Sequence, residues 1–302
     1  MKNKLTRKLM LSAFTLLFAV ISLGASTYAW FTMSKDADVE AFKADVKAGE
    51  GIEIAVTSTQ AVGNAQWYTG TVPSSVVQSA AVPANFVFDA ATTKNNASTI
   101  IKRDGSDSEG YIEFYIHIKA AQAGTIKLDG ITLDSKVGEA DPTAWVADAA
   151  YSIDGTKNVV VNDKVVYEVE NAARIAIIAN GATSIYEKAA ISATGDKIAD
   201  GPSTYVAGNQ KGQQSTKGAF DYYNAKMADD LTIDQETQYT TSELDTLATT
   251  PNSLKAVATN EILTINVKVW IEGWDAECLN AIFAQTLSVA FSFKFEETQQ
   301  GN

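Results

Sequence analysis

Cysteine is almost absent from this chain, since Cys278 is the only one among 302 residues. The protein therefore cannot form a disulfide within itself, and a metal cluster held by several thiolates is excluded. Cys278 lies in the amphipathic stretch "DAECLNAIFA", where a small buried residue is favoured over a reactive thiol. A chain of this length can bury a sizeable hydrophobic core without disulfides or metals.

Histidine is equally scarce, since His117 is the only one. A His-Glu-x-x-His zinc site needs two histidines at helical spacing, so this chain cannot build one. A nucleophilic triad would have to use His117, and no Gly-x-Ser-x-Gly motif accompanies it. The sequence also lacks a Walker signature and a dinucleotide fingerprint. His117 alternates outward on a predicted strand, so we predict a surface histidine and a protein that is not an enzyme, with no catalytic residue and no cofactor.

Acidic residues outnumber basic ones in the chain outside the N-terminus. The formal net charge is −12, and residues 1–29 hold Lys2, Lys4, Arg7 and Lys8 but no acid. Without these four cations the rest of the chain carries −16. Such a surface repels phosphate backbones and anionic lipid head groups, so nucleic acid is not an expected partner, and a membrane is expected only through the leader.

The basic start is followed by a run without charge, 9–33, which is the layout of a signal peptide. The stretch "LGASTYA" places Thr27 and Ala29 at the −3 and −1 positions for cleavage between Ala29 and Trp30. Cleavage after Ala25 is an alternative. Retention as an anchor is another, because about 20 apolar residues can span a bilayer. In each case the bulk of the chain is predicted outside the cytoplasm, secreted, extracellular or at the cell surface.

Strand-like alternation dominates the rest of the chain, 30–302, which we predict to be a single domain. Three segments, "YIEFYIHIKA", "EILTINVKVWIEG" and "TLSVAFSFKFEE", alternate apolar and polar residues, as strands with one face on a core do. Their predicted inward residues are Ile112, Phe114, Ile116, Ile118, Leu263, Ile265, Val267, Val269, Ile271, Leu287, Val289, Phe291, Phe293 and Phe295. Shorter candidate strands are 52–57, 125–133, 164–169 and 174–179. Strands separated by turns, without regular helices between them, predict an all-β antiparallel β-sandwich with short helices.

One region differs from this pattern. Residues 195–218 are rich in Gly, Ser, Gln and Lys and predict a long exposed loop. The stretch "AFDYYNAKMADDL" after it predicts a helix, and 235–253 is polar and rich in threonine. We therefore predict that 195–255 is a loop and helix insertion decorating the sandwich.

The acidic stretch "DGSDSEG" is a weak calcium candidate, with Asp104, Asp107 and Glu109 as ligands. Calcium takes six to eight oxygen ligands, which this stretch could begin to supply. It departs from the EF-hand pattern at the third and sixth positions. A turn leading into the strand that follows is the favoured interpretation.

Tryptophans raise the possibility of carbohydrate binding, because sugars stack on flat aromatic faces. The candidates are Trp67 beside Tyr68, and Trp270 with Trp274. Trp270 lies on the polar side of its predicted strand, where a covering element or a partner would bury it. Packing in a core or an interface is the favoured interpretation.

The two ends of the chain together resemble a known family. The leader running into "TYAWFTMSKDADVEAF" resembles the start of the TasA and camelysin family, secreted proteins of Gram-positive Firmicutes cut near an aromatic after alanine. The Ser-Lys-Asp-Ala stretch of the family corresponds to Ser34, Lys35, Asp36 and Ala37. The last strand, "TLSVAFSFKFEETQ", is similar to the final strand of the family. The middle of the chain, 60–255, shows no such likeness.

The resemblance implies a jelly-roll sandwich and assembly into extracellular fibres of the biofilm matrix. In such fibres an N-terminal strand of one subunit completes the sheet of a neighbour, so the partner is a second copy in a head-to-tail homopolymer. An open sheet edge accepts an extended segment, and a head-to-tail contact that does not close propagates as a filament. The candidate donor strand is 30–46, with the residues Trp30, Phe31, Val39, Phe42 and Val46. Its alternation slips by one position near Ala41.

Two other functions stay open. The first is a monomeric cell-surface adhesin or glycan-binding module that uses Trp67 or Trp274 and binds matrix or cell-wall components. The second is a camelysin-like peptidase, for which this sequence lacks a zinc-protease ligand set.

Overall fold

The computed structural model describes most of the chain after residue 41. The described residues are 42–84, 86–94, 96–102, 106–134, 145–152, 158–165, 169–188, 241–273, 275, 278, 282 and 285–298. All of them belong to one compact unit, Ala37–Asn302. The predicted leader, its cleavage site and the residues Trp30, Phe31 and Val39 lie outside the described residues.

Strands make up most of the described chain. In chain order they are β1 (Phe42–Lys47), β2 (Ile52–Thr57), β3 (Thr71–Val72), β4 (Ala90–Lys94), β5 (Thr99–Lys102), β6 (Ile112–Ala120), β7 (Gly124–Asp134), β8 (Trp145–Val146), β9 (Tyr151–Ser152), β10 (Asn158–Val159), β11 (Lys164–Val165), β12 (Ala173–Ala179), β13 (Ala182–Glu187), β14 (Ser242–Glu243), β15 (Asn252–Val257), β16 (Ile262–Glu272) and β17 (Leu287–Glu297). The described helices are short: α1 (Ser74–Ala81), α2 (Val169–Ala172) and α3 (Asp245–Thr249). No helix in the described ranges is long and apolar enough to cross a membrane.

The strands form two main sheets. The first sheet has the order β15-β7-β17-β1-β3, and the second contains the path β14-β13-β12-β16. The second sheet branches at β16, which pairs with β6 over most of its length and with β4 at its last two residues. β6 then pairs with β2, and β4 pairs with β5. Most pairs are antiparallel, and the parallel ones described are β1 with β17, β13 with β14, and β16 with β4. The all-β sandwich predicted from alternation is confirmed.

The main core lies between the two sheets and is built from the predicted inward residues. All four on β6, all five on β16 and the first four on β17 are buried. The rings of Phe114 on β6 and Phe291 on β17 meet edge to face, with centroids 6.0 Å apart, so the contact spans the sandwich. Each fully buried aliphatic or phenyl side chain contributes about 1.5–3 kcal/mol. Phe295 is only half-buried, near the C-terminal end of β17, where its ring lies close to Gly51 and Gly124.

A second, smaller core covers part of the outer face of the second sheet. The hairpin of β4 and β5 packs there against β12, β13 and β16. The buried members of this cluster are Ala91, Ala97, Ile100, Ala176, Ile185 and Trp270. The Trp270 indole nitrogen donates to the Glu272 carboxylate at 3.0 Å. Packing of Trp270 in a core is therefore confirmed, and so is the burial of Cys278.

Two local predictions differ from the structure. Of the candidate strand 164–169, Lys164–Val165 is a strand and Val169 begins α2, while 166–168 lie outside the described residues. In a short apolar run without strict alternation, the residue pattern does not distinguish a strand from one turn of helix. The predicted insertion is also too long at its C-terminal end, because Asn252–Val257 pairs with β7 inside the first sheet. Within the insertion, Ser242–Glu243 also pairs with β13 and Asp245–Thr249 forms α3. Its residues 195–240 lie outside the described residues.

Candidate functional site

β1 is the described part of the candidate donor strand, and it lies in a sheet of its own chain. It runs parallel to β17 in the register from Phe42 opposite Leu287 to Lys47 opposite Ser292. Its other edge pairs with β3 only at Val46 and Lys47. Val46 is fully buried, so β1 contributes to the core. Phe42 and Val46 are thus placed in the first sheet of this chain, and the rest of the candidate donor strand, 30–41, lies outside the described residues.

The turn 48–51 carries the chain from the first sheet to the second. A Cβ on Gly49 would lie 2.7 Å from the Phe293 carbonyl oxygen, so glycine is needed for this close approach. Gly51 has a φ of +82°, which favours glycine for its freedom in the left-handed region. The turn is held in place because its Gly51 carbonyl accepts from the Ala121 amide at 3.3 Å.

A cleft of about 620 Å³ opens beside this turn, and we call it the corner cleft. Its lining residues come from the turn and the start of β2, from the chain before β3, and from the ends of β6 and the loop before β16. They are Ala48, Gly49, Glu50, Gly51, Ile52, Glu53, Thr69, Gly70, Lys119, Ala121 and Asn260. The corner cleft is thus formed by segments that are far apart in the sequence and meet only in the fold.

Trp67 is placed next to the corner cleft through Lys119. The Lys119 ammonium lies 4.6 Å from the centre of the Trp67 ring, within the range of a cation–π contact. The same nitrogen pairs with the Glu53 carboxylate at 2.7 Å, across the β2–β6 ladder. Trp67 is half-buried, so part of its ring stays accessible. The other tryptophan named for sugar binding, Trp274, lies outside the described residues.

His117 is fully buried, so the prediction of a surface histidine is wrong. Its Nε2 lies 2.8 Å from the Thr57 hydroxyl and its Nδ1 lies 3.0 Å from the Thr264 hydroxyl. The Thr57 hydroxyl donates its own proton to the Thr59 carbonyl at 2.6 Å, so it accepts from Nε2. Burial lowers the pKa of His117, and the neutral ring has both nitrogens engaged. Both threonines lie on the strands that pair with β6, so alternation within β6 alone could not show these contacts.

A buried cluster of charges lies where β12, β13 and the chain after β16 meet. The Arg174 guanidinium approaches the Glu187 carboxylate to 2.9 Å and the Asp275 carboxylate to 2.7 Å. Thr241 also donates to Glu187, at 2.8 Å. Burial raises the pKa of Glu187 to about 7, although the positive charge of Arg174 acts in the opposite direction. The cluster therefore joins residues that precede 189–240 in the chain, such as Glu187, to residues that follow it, such as Thr241.

The cluster has a weak signal in the sequence. Arg174 is the one charged residue of the otherwise apolar strand β12, "ARIAIIA". A charge in such a run needs a buried partner. The sequence does not show which acid that partner is, because Glu187 and Asp275 lie on other elements.

The weak calcium candidate is only partly described, since Asp104 lies outside the described residues. Asp107 and Glu109 are both exposed. Asp107 forms a bridge with Ile101, and the chain folds back along β5. Over the described ranges, no group of three potential metal ligands comes together. The favoured interpretation of a turn agrees with this geometry.

The likeness of the two chain ends to the TasA and camelysin family stays a prediction, because most of the N-terminal match precedes Phe42. The identity of the chain therefore depends on comparison with known proteins. No protein-family model, no curated protein and no solved structure matches this chain.

Proposed function

We propose that this protein is a secreted structural subunit that assembles head to tail into extracellular fibres by donating its N-terminal strand. The observation that carries the proposal is the position of β1. It is the first described strand, and it fills a place between β17 and β3 in the first sheet. No described strand precedes β1, so an exchange with a neighbour does not unthread any strand of the described ranges.

The contacts of β1 can be made equally well within a chain or between chains. Its six residues pair with β17, and Val46 adds a fully buried side chain. A neighbour's β1 would form the same hydrogen bonds and fill the same place, so the exchange costs little enthalpy. The turn 48–51, with its glycines at 49 and 51, is the segment that would open.

The exchange is directional, which is why it leads to a fibre. Each subunit would give β1 to one neighbour and receive β1 from another, so the giving and receiving surfaces differ. A contact between two different surfaces forms an open filament unless its rotation closes a ring. The predicted leader supports the same function, because it would deliver the chain outside the cytoplasm before assembly.

A disulfide crosslink between β1 and β17, which can be reduced again, tests the proposal without truncating the chain. Lys43 and Ser288 are register partners on neighbouring strands, at a spacing that suits a disulfide. We expect the Lys43→Cys/Ser288→Cys variant, begun at Trp30, to stay monomeric when oxidised and to form filaments after reduction. Negative-stain electron microscopy and light scattering measure this directly.

The single variant Lys43→Cys is the matched control, and it should form filaments in both redox states. The oxidised double variant must show the expected crosslink by mass spectrometry. Filaments from the crosslinked protein would overturn strand exchange by β1. A wild-type chain that remains monomeric over all salt and pH conditions would overturn the fibre itself.

A further inference from the structure

We infer that the corner cleft binds a sugar unit of a neutral or amino-sugar polysaccharide. The inference goes beyond assembly, because it holds for a monomer and for a fibre subunit alike. It rests on the side chains that surround the cleft, on the closed backbone beside it and on its local charge.

The side chains of the corner cleft are suited to hydroxyl groups. Glu50 and Glu53 offer carboxylate oxygens, Lys119 offers an ammonium, and Thr69 and Asn260 offer a hydroxyl and an amide. Each of these groups exchanges hydrogen bonds with sugar hydroxyls. The Lys119–Glu53 pair at 2.7 Å fixes two of them in place before a ligand arrives. Preorganised donors and acceptors lower the entropy cost of binding.

Trp67 supplies the flat apolar surface that a pyranose ring needs. It lies against Lys119, a lining residue of the cleft, and it is half-buried. The indole is held in position by Lys119, so it does not have to be ordered when a ligand binds. An aromatic ring beside a set of fixed hydroxyl partners is the combination by which proteins recognise sugars, since the axial C–H groups of the ring stack on the π face.

An extended peptide is a poorer fit, because part of the backbone beside the cleft is already paired. The Ile54 amide and carbonyl both bond to Tyr68, at 2.9 and 2.8 Å. The Ala48 amide donates to the Gly70 carbonyl at 2.8 Å. Strand addition needs a row of free N–H and C=O groups, and these bonds interrupt such a row beside the cleft.

The local charge of the corner cleft limits which sugars it can bind. Glu50, Glu53 and Lys119 together carry −1, and the whole chain carries −12. Uronic acids and phosphate-linked polymers would be repelled, whereas neutral hexoses are tolerated and amino sugars are attracted. A partly deacetylated amino-sugar chain therefore fits the corner cleft better than any polyanion.

Calorimetric titration of the oxidised Lys43→Cys/Ser288→Cys protein tests this inference on a form that cannot exchange β1. The probes are glucosamine oligomers, N-acetylglucosamine oligomers and polygalacturonate oligomers. We expect binding of the first two, no binding of the third, and about tenfold weaker binding after Trp67→Ala, which removes one stacked aromatic ring. Trp67→Phe should give an intermediate affinity, because it keeps a smaller ring.

Glu53→Gln should also weaken binding of glucosamine oligomers. Its matched control is Asp129→Asn, which breaks a similarly exposed ion pair with Lys294 on the other sheet, at 3.0 Å. Thermal melting checks that each variant is folded. Three outcomes would overturn the inference: no binding of either amino sugar, equal binding by Trp67→Ala and wild type, or tighter binding of polygalacturonate. Binding of a synthetic 30–41 peptide that depends on Trp67, without sugar binding, would assign the cleft to a neighbouring chain instead.

Discussion

Glu187 is a buried carboxyl group whose protonation is linked to folding. It lies in the charge cluster with Arg174 and Asp275, and burial raises its pKa from 4.5 to about 7. Nearby Asp275 and Glu272 act in the same direction as burial, whereas Arg174 and Thr241 oppose it. In the window between pH 4.5 and 7 the folded protein therefore holds a proton at Glu187 that the unfolded chain has released.

The sign of the pH dependence follows from this difference. The contribution of Glu187 protonation to the unfolding free energy is complete below about pH 4.5, and it is lost as the pH rises through about 7. We expect wild type to lose stability relative to Glu187→Gln by on the order of 3 kcal/mol between these limits, because glutamine cannot ionise. Urea unfolding at a series of pH values measures the difference between the two proteins.

The exposed carboxylate Glu109 offers a matched control for this experiment. Glu109→Gln removes one exposed carboxylate and leaves the cluster around Arg174 intact, so its pH profile should be parallel to that of wild type. Parallel profiles for Glu187→Gln and wild type would contradict the linkage.

At the scale of the element, β1 depends on a close approach between two backbones. The position of a Cβ on Gly49 is 2.7 Å from the Phe293 carbonyl oxygen, which belongs to the main chain of β17 and cannot rotate away. Gly49→Ala must therefore move one strand of the first sheet against the other. We expect this variant to lower the unfolding free energy by about 1–3 kcal/mol, the usual cost of overpacking. Urea unfolding of wild type and variant gives the value.

Gly130→Ala is a matched control in the same sheet. A Cβ on residue 130 would lie 3.0 Å from the Ser292 hydroxyl, which ends a side chain that can rotate away. We expect Gly130→Ala to lower the unfolding free energy by less than Gly49→Ala does. Equal losses at 49 and 130 would mean that backbone crowding does not hold β1 in place.

At the scale of the whole molecule, charge opposes the proposed assembly. If the predicted leader is removed, its four cations go with it, and a chain of net charge −12 becomes a subunit of −16. Like-charged subunits repel over a Debye length of about 30 Å at 0.01 M salt and about 3 Å at 1 M. We expect filaments of the chain begun at Trp30 to form faster, and at lower protein concentration, as salt is raised between these limits. Light scattering follows the rate.

The oxidised Lys43→Cys/Ser288→Cys protein separates assembly from salting-out, because it carries nearly the same charge but keeps β1 in its own sheet. It should scatter no light over the same range of salt. Slower assembly of wild type at high salt would show that attraction between unlike charges, and not strand exchange, brings the subunits together.

Much of the fold can be predicted from neighbouring residues alone. Alternation in β6, β16 and β17 identifies the strands and their inward faces, because side chains of a strand point to opposite sides with a period of two. The prediction fails at Phe295, near the end of β17, and at His117, whose ring is held between Thr57 on β2 and Thr264 on β16. From the sequence alone, only Trp67 indicated a binding site in this region, because the residues that line the corner cleft come from separate segments.

By itself the sequence determined an all-β protein with strongly acidic character, without internal disulfides or a zinc-protease ligand set, because these properties depend on composition and local period. Only the tertiary structure decided that β1 lies parallel to β17, that Arg174 meets Glu187 and Asp275, and that Lys119 holds Trp67 beside a cleft. Each of these contacts joins residues far apart in the chain. Their pairing depends on which strands become neighbours, and no local pattern of apolar and polar residues specifies that.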